Sequence, residues 1–286
     1  YEIDADGSGL RQLTRGPYDD LMADYLPDGG LVFCSTRRRG YSRCFGPQFS
    51  PRWDSYTLHR ADADGGRIRT LSWNDVNEWF PAVSHSGEIL FARWDYIDRD
   101  AVTHQNLWSC RPDGANPMAV WGNALPKPHC TFQARPVPGS HKLVFIASAH
   151  HAVTAGPVCL LDPTLGPNAP EAVERVTPLP FPEAEGALAE WYESPWPLSE
   201  NLFLAAYSPE RLRFEGEHKS DPNPDGAQGI CLLDRRGNRE LLYRDPEIGT
   251  TTPIPLAPRP RPPVVASLLP ENPPPHGEMT IADVYR

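Results

Sequence analysis

One hairpin, met again and again, restricts what this chain can fold into. In Asn77-Glu78-Trp79-Phe80-Pro81-Ala82-Val83 an apolar, aromatic run reads as a short strand, Ser86-Gly87 as a tight two-residue turn, and Glu88 to Tyr96 as the returning strand. Aromatic and β-branched side chains suit a pleated, half-buried surface, and Gly87 supplies the positive φ that a short hairpin turn needs. Copies stand at Leu26-Pro27-Asp28-Gly29-Gly30-Leu31-Val32-Phe33, Pro138-Gly139-Ser140-His141-Lys142-Leu143-Val144-Phe145 and Pro197-Leu198-Ser199-Glu200-Asn201-Leu202-Phe203-Leu204, with a degraded one at Arg261-Pro262-Pro263-Val264-Val265-Ala266. The period is about 55–60 residues, of the order that marks propellers and other arrays.

A second hairpin alternates with the first. It runs from Tyr1 through Asp4-Ala5-Asp6-Gly7 to Thr14, and returns as Leu58 through Asp62-Ala63-Asp64-Gly65 to Ser72. Weaker copies begin at Leu107, Val158 and Ile230. Two hairpins per repeat make a four-stranded antiparallel unit, one blade of a β-propeller, and such a unit buries its faces only by stacking on neighbours. The expected fold is therefore all-β: a single β-propeller domain over 1–286, six-bladed with seven as the alternative, incomplete at the N-terminus. Its blades are a partial 1–14, then 20–72, 79–121, 132–177, 193–244 and 253–286, the last ending in a strand at Met279–Tyr285. The chain starts in mid-strand and is read as a piece of a longer protein.

In such blades the connection between strands two and three lies on the same face as the connections between blades. The long inserts, 37–54, 96–105, 148–156, 181–193 and 209–228, all belong to these two kinds. One face is expected to be loop-rich and the other trimmed to tight turns, and loops on a rigid scaffold are where binding concentrates. The 34 prolines suit short strands and rigid connections rather than helices. A net charge of −10 argues against a nucleic-acid or anionic-membrane partner. No apolar run approaches the ~20 residues that span a bilayer.

The Pro-Asp-Gly hairpin followed by an Asp-x-Asp-Gly hairpin resembles the TolB-like (WD40-like) propeller repeats. Glu78-Trp79-Phe80-Pro81, Arg93-Trp94-Asp95-Tyr96-Ile97-Asp98-Arg99-Asp100, Ala134-Arg135-Pro136-Val137-Pro138-Gly139-Ser140-His141-Lys142 and Ala149-His150-His151 narrow the likeness. Together they resemble the middle, propeller domain of the hydrazine synthase alpha-subunit family, most strongly from about 1 to 162. The resemblance implies an exported, periplasmic setting. It also implies a scaffold role presenting the loop-rich face to a haem domain or partner subunit, and c-type haem only in flanking domains. In that family a zinc sits beside a catalytic haem with cysteine and histidine ligands, so the resemblance makes Cys34 and His59 the pair to test for zinc.

Read as residues alone, Cys34 and Cys44 flank a basic loop and fit a disulfide or plain structural thiols ahead of a thiolate ligand. His150-His151 follows an apolar strand; adjacent histidines point opposite ways in a strand, so both bind metal only if the strand has ended. Arg93, Asp95, Asp98, Arg99 and Asp100 around Trp94 and Tyr96 read as an ion-pair brace, as does Arg135 with His141. The Asp-x-Asp-Gly runs lack the Gly at position 6 and the Glu at 12 of a calcium loop and read as turns. There is no Cys-x-x-Cys-His, no Gly-x-Ser-x-Gly and no His-Glu-x-x-His, so no self-sufficient active site is legible. Two other functions fit the pattern. One is a propeller hydrolase or lyase acting on a glycan or peptide through a channel metal held by histidines such as His59, His85, His104, His129 and His150. The other is a periplasmic binding module without catalysis.

Overall fold

The structure is a computed structural model that describes residues 1–42, 54–96, 103–150, 154–183, 188–210, 225–270, 276 and 281. These residues form an all-β propeller of four-stranded antiparallel units. The first unit is β1 (Asp20–Tyr25), β2 (Leu31–Ser35), β3 (Thr57–Ala61) and β4 (Arg69–Thr70). The second is β5 (Glu78–Val83), β6 (Ile89–Trp94), β7 (Gln105–Cys110) and β8 (Met118–Trp121). The third is β9 (Cys130–Pro136), β10 (Leu143–Ser148), β11 (Val158–Leu161) and β12 (Val173–Arg175). The fourth is β13 (Trp191–Pro197), β14 (Leu202–Ser208), β15 (Gly229–Asp234) and β16 (Arg239–Tyr243). A single parallel bridge, Gln105 to Cys130, links the second unit to the third. No helix among the described residues is long and apolar enough to cross a membrane.

The core lies between blades rather than inside them. In β10, Leu143, Phe145 and Ala147 pack with Leu90, Leu107 and Trp121 of the second blade. Val144 and Ile146 of the same strand pack with Tyr192, Phe203 and Leu233 of the fourth. All six residues of β10 are buried, which is why it reads as a continuous apolar run and not an alternating one. Leu26, Val32 and Leu58 meet Ile89 and Phe91 in the same way between the first two blades.

The hairpin turns differ from the two-residue form expected. Gly87 N–H donates to Ser84 O at 3.0 Å, and Ser84 N–H to Glu88 O at 2.9 Å. This is a three-residue loop, a type I turn closed by a left-handed glycine. The same pair of bonds closes Asp4–Ser8, Leu26–Gly30, Asp62–Gly66, Arg111–Ala115 and Asp234–Asn238. Where Asp precedes the glycine it acts as a turn residue. Asp6, Asp28, Asp64 and Asp113 each accept the backbone N–H two residues on, at 2.8–3.0 Å.

A second recurrence went unread in the sequence. One residue near the start of each inner strand, Met22, Phe80, Gln133 and Ser194, has φ between 52° and 58°, and each lies where the β1–β2, β5–β6, β9–β10 or β13–β14 register shifts. These bulges are linked around the centre. Phe80 N–H approaches Met22 Sδ at 3.4 Å, and Ser194 N–H donates to Gln133 Oε1 at 2.6 Å. Ser194 and Thr252 share a hydroxyl contact at 3.4 Å. Thr252 itself has φ 53°, and Thr250 N–H bonds Gln228 O just as Glu78 N–H bonds Tyr56 O.

So 250–254 stands where a fifth inner strand would, and of the expected blade over 253–286 the described residues reach 270, with 276 and 281 beyond it. From 253 to 270 no strand forms, because Pro253, Pro255, Pro258, Pro260, Pro262 and Pro263 remove the N–H groups a ladder needs. Instead the tail crosses the trimmed face: Arg261 Nε donates to Pro27 O at 2.5 Å, and Asp113 Oδ2 accepts Leu268 N–H at 2.5 Å. Apart from Ile281, the strand read at Met279–Tyr285 lies outside the described residues. The N-terminal hairpin is reduced to one bridge, Glu2 to Arg11.

Two glycines separate turn strain from blade packing. A Cβ at Gly29 would meet nothing within 4 Å, whereas one at Gly114 would strike the Leu71 carbonyl of the neighbouring blade. Gly29→Ala should therefore lose about 1 kcal/mol for the left-handed backbone, and Gly114→Ala on the order of 3 kcal/mol. Equal losses in urea unfolding would contradict close inter-blade packing at this turn.

Candidate functional site

The described part of the β2–β3 insert lies beside the connection between the first two blades. Arg38 of the β2–β3 insert donates through Nη1 to Trp73 O at 3.3 Å, and Tyr56 N–H donates to Asn77 Oδ1 at 2.9 Å. Between the first two blades lies a cleft of about 460 Å³. Leu58, Leu71, Phe91 and Cys110 make its apolar wall, and Ser72, Asn74, Asp75, Glu78 and Arg93 its polar one. Trp73 also lines it and is 74% exposed, an unusual exposure for an indole.

Glu78, the first residue of β5, is fully buried. Ser72 Oγ donates to its Oε1 at 2.6 Å and Leu58 N–H to its Oε2 at 3.0 Å. Burial raises its pKa, and these two hydrogen bonds and the charges of Arg93 and Arg38 oppose the rise. Arg93 is the cross-strand partner of Glu78; its guanidinium lies 4.7 Å from the Trp108 ring centre, with Nε 3.3 Å from Asp95 Oδ1. The cleft thus offers a buried acid, a guanidinium and an indole at its rim. Sequence reasoning passed over Glu78; the available signal was a lone carboxylate opening an otherwise apolar strand.

Beside the cleft, an aromatic cluster joins the second and third blades. Trp94 stacks on Trp79 at 6.1 Å and meets Tyr96 at 5.5 Å and His150 at 5.3 Å. Trp79 and Phe80 each pack on Phe132 at 5.5 Å. Gln105 Nε2 lies 3.0 Å from His150 Nδ1, so that nitrogen is the acceptor. His151 is outside the described residues.

The Cys34–His59 pair is not brought together. In the β2–β3 register Cys34 faces Leu58, and His59 faces Phe33, so the two side chains project from opposite faces of the sheet. His59 stacks on Phe33, with Nδ1 2.9 Å from Thr57 O and Nε2 3.0 Å from Thr70 Oγ1. Both ring nitrogens are occupied. Cys34 is a free thiol in the core between the first two blades, with Cys110 in the same cluster. Burial pushes the thiols of Cys34, Cys110, Cys130 and Cys159 upward, and that of Cys231 to about 11. These are poor thiolate ligands. Cys44 lies outside the described residues, as do Asp98, Arg99 and Asp100.

Arg135 and His141 do not pair either. Arg135 approaches Asp24 at 3.5 Å and His141 approaches Asp162 at 3.0 Å. His85 is on the trimmed face with Nε2 2.7 Å from Val137 O. Among the described residues no three His, Cys, Asp or Glu side chains come together as a metal-ligand set.

Neither a scan against protein-family models nor a search of curated proteins finds a match. Solved structures do. Hydrazine synthase of Kuenenia stuttgartiensis superposes with a TM-score of 0.59 at 18% identity, over 85% of this chain and 35% of that one. TolB from Acinetobacter baumannii gives 0.43 at 10% identity, over 87% of this chain and 60% of its own. An alpha-L-arabinofuranosidase from Fusarium graminearum gives 0.40 at 14%, over 80% and 67%. At such identities the likeness shows the propeller fold, and the chain spans about a third of the hydrazine synthase chain it matches.

The buried acid makes a signed prediction. The folded chain holds the Glu78 proton more tightly than the unfolded chain, whose value is near 4.5. The native state therefore binds more protons between that value and the raised one, and stability falls as pH rises through the window. Glu78→Gln can still accept from Leu58 N–H and donate to Ser72. Its stability relative to wild type should climb across that window and level off above it; a difference independent of pH would contradict a raised Glu78.

Proposed function

We propose that this chain is an interaction propeller within a larger exported, periplasmic protein related to the hydrazine synthases. In this reading its loop-rich face docks against a haem domain or a partner subunit, and c-type haem belongs to flanking segments. The four blades described, with the fifth inner strand marked by Thr252, belong to a six-bladed ring. The observation that carries the reading is Trp73: an indole 74% exposed at the rim of a cleft, beside Arg38 of the β2–β3 insert. Exposed aromatics beside a pocket, with arginine close by, are the anchors on which protein interfaces concentrate their energy. The likeness in fold to hydrazine synthase supports the haem setting.

Two measurements test this. The visible spectrum of the full-length protein from its own host, oxidised and dithionite-reduced, should show a sharp Soret band with c-type α and β bands. Trp73→Ala should weaken association with the haem-bearing partner or domain by at least about tenfold, near 1.4 kcal/mol, with the thermal unfolding of the propeller unchanged. A featureless spectrum removes the haem setting. Undiminished association of the Trp73→Ala protein removes the docking face.

A further inference from the structure

Two residues beyond each central bulge, the four inner strands place equivalent side chains: Asp24, Ala82, Arg135 and Trp196, cross-strand from Val32, Leu90, Val144 and Leu204. Blade two contributes only the methyl of Ala82 at this level. Arg135 of the third blade approaches Asp24 of the first, Nη1 to Oδ2 at 3.5 Å. Arg135 also lies against Trp196, with Cζ 4.4 Å from the ring centre. The tail then adds another cation: Arg259 Cζ lies 4.7 Å from the same ring. Two guanidiniums lie against one indole, and among the described residues Asp24 is the one carboxylate that pairs with either. Burial weakens the hold of Arg135 on its proton, Asp24 opposes this, and the charge of Arg259 adds to it.

This is an excess of positive charge at the centre of a protein whose net charge is −10. Cation–π contact holds a guanidinium in place without using up its five N–H donors, which match the geometry of carboxylate and phosphate oxygens. We propose that this level of the inner strands binds a small oxyanion, a carboxylate or a phosphate, through Arg135 and Arg259. The tail is then part of a binding site, since it delivers Arg259 before crossing the trimmed face. Asp24 orients Arg135 and competes with the ligand for it.

Calorimetric titration of the full-length protein with inorganic phosphate, and separately with acetate, tests this at constant ionic strength set by chloride. Saturable binding of phosphate alone assigns the phosphate class; of acetate alone, the carboxylate class. Arg259→Gln, on an exposed segment, should weaken binding by about tenfold or more and leave the unfolding curve unchanged. Asp24→Asn should tighten binding, an outcome that loss of structure would not mimic. The proposal fails if neither anion saturates the wild-type protein, if Arg259→Gln binds as wild type does, or if a folded Asp24→Asn binds more weakly.

Discussion

Leu143, Phe145 and Ala147 face one neighbouring blade while Val144 and Ile146 of the same strand face the other. No four-stranded unit can satisfy such a strand alone, since one of its two apolar faces would meet water. The hydrophobic term, about 25 cal/mol per Å² of apolar surface removed from water, is therefore realised between blades. Blade stacking, not any single hairpin, makes the fold. The free cysteines follow from the same constraint. Cys34, Cys110, Cys159 and Cys231 fill inter-blade core positions, where a small apolar side chain is wanted and a thiolate is not.

Stacking sets the faces, but the centre has its own requirement. Inner strands converge there, and each kinks through a left-handed residue that costs on the order of 1–3 kcal/mol. The cost is offset locally: Gln133 captures the N–H of Ser194, and Ser194 meets Thr252. The bulge re-aims the residues after it, which puts Asp24, Arg135 and Trp196 at one level of the centre. Their charge follows from backbone geometry as much as from composition. On the loop-rich face, the same stacking buries Glu78 against the first blade while leaving Trp73 outside.

What the sequence made legible was whatever recurs with a fixed chemical signature. Asp-Gly pairs marked the turns, and apolar runs marked the inner and second strands. The bulges carried no such signature, because Met22, Phe80, Gln133, Ser194 and Thr252 have no common chemistry; their recurrence is in φ alone. The apolar Val264-Val265-Ala266 run imitated a strand while the prolines around it forbade one. Cys34 and His59 stand together only in what the family resemblance implies. The period-2 alternation that would have separated them needs the pairing Cys34–Leu58, which only the fold provides. Glu78 escaped because a single acid in an apolar strand has no motif, and its meaning comes from Ser72 and the Leu58 amide closing around it.

The loop-rich face as a docking surface is the claim on which the functional account turns, and hydrogen exchange on the intact protein in its native assembly tests it most directly. The account predicts slow exchange at the connections around 37–41 and 72–76, and fast exchange at the trimmed-face turns around Gly29 and Gly139, where a Cβ would meet nothing within 4 Å. Fast exchange at 72–76 with protection at those turns would contradict it and turn the interface to the opposite face.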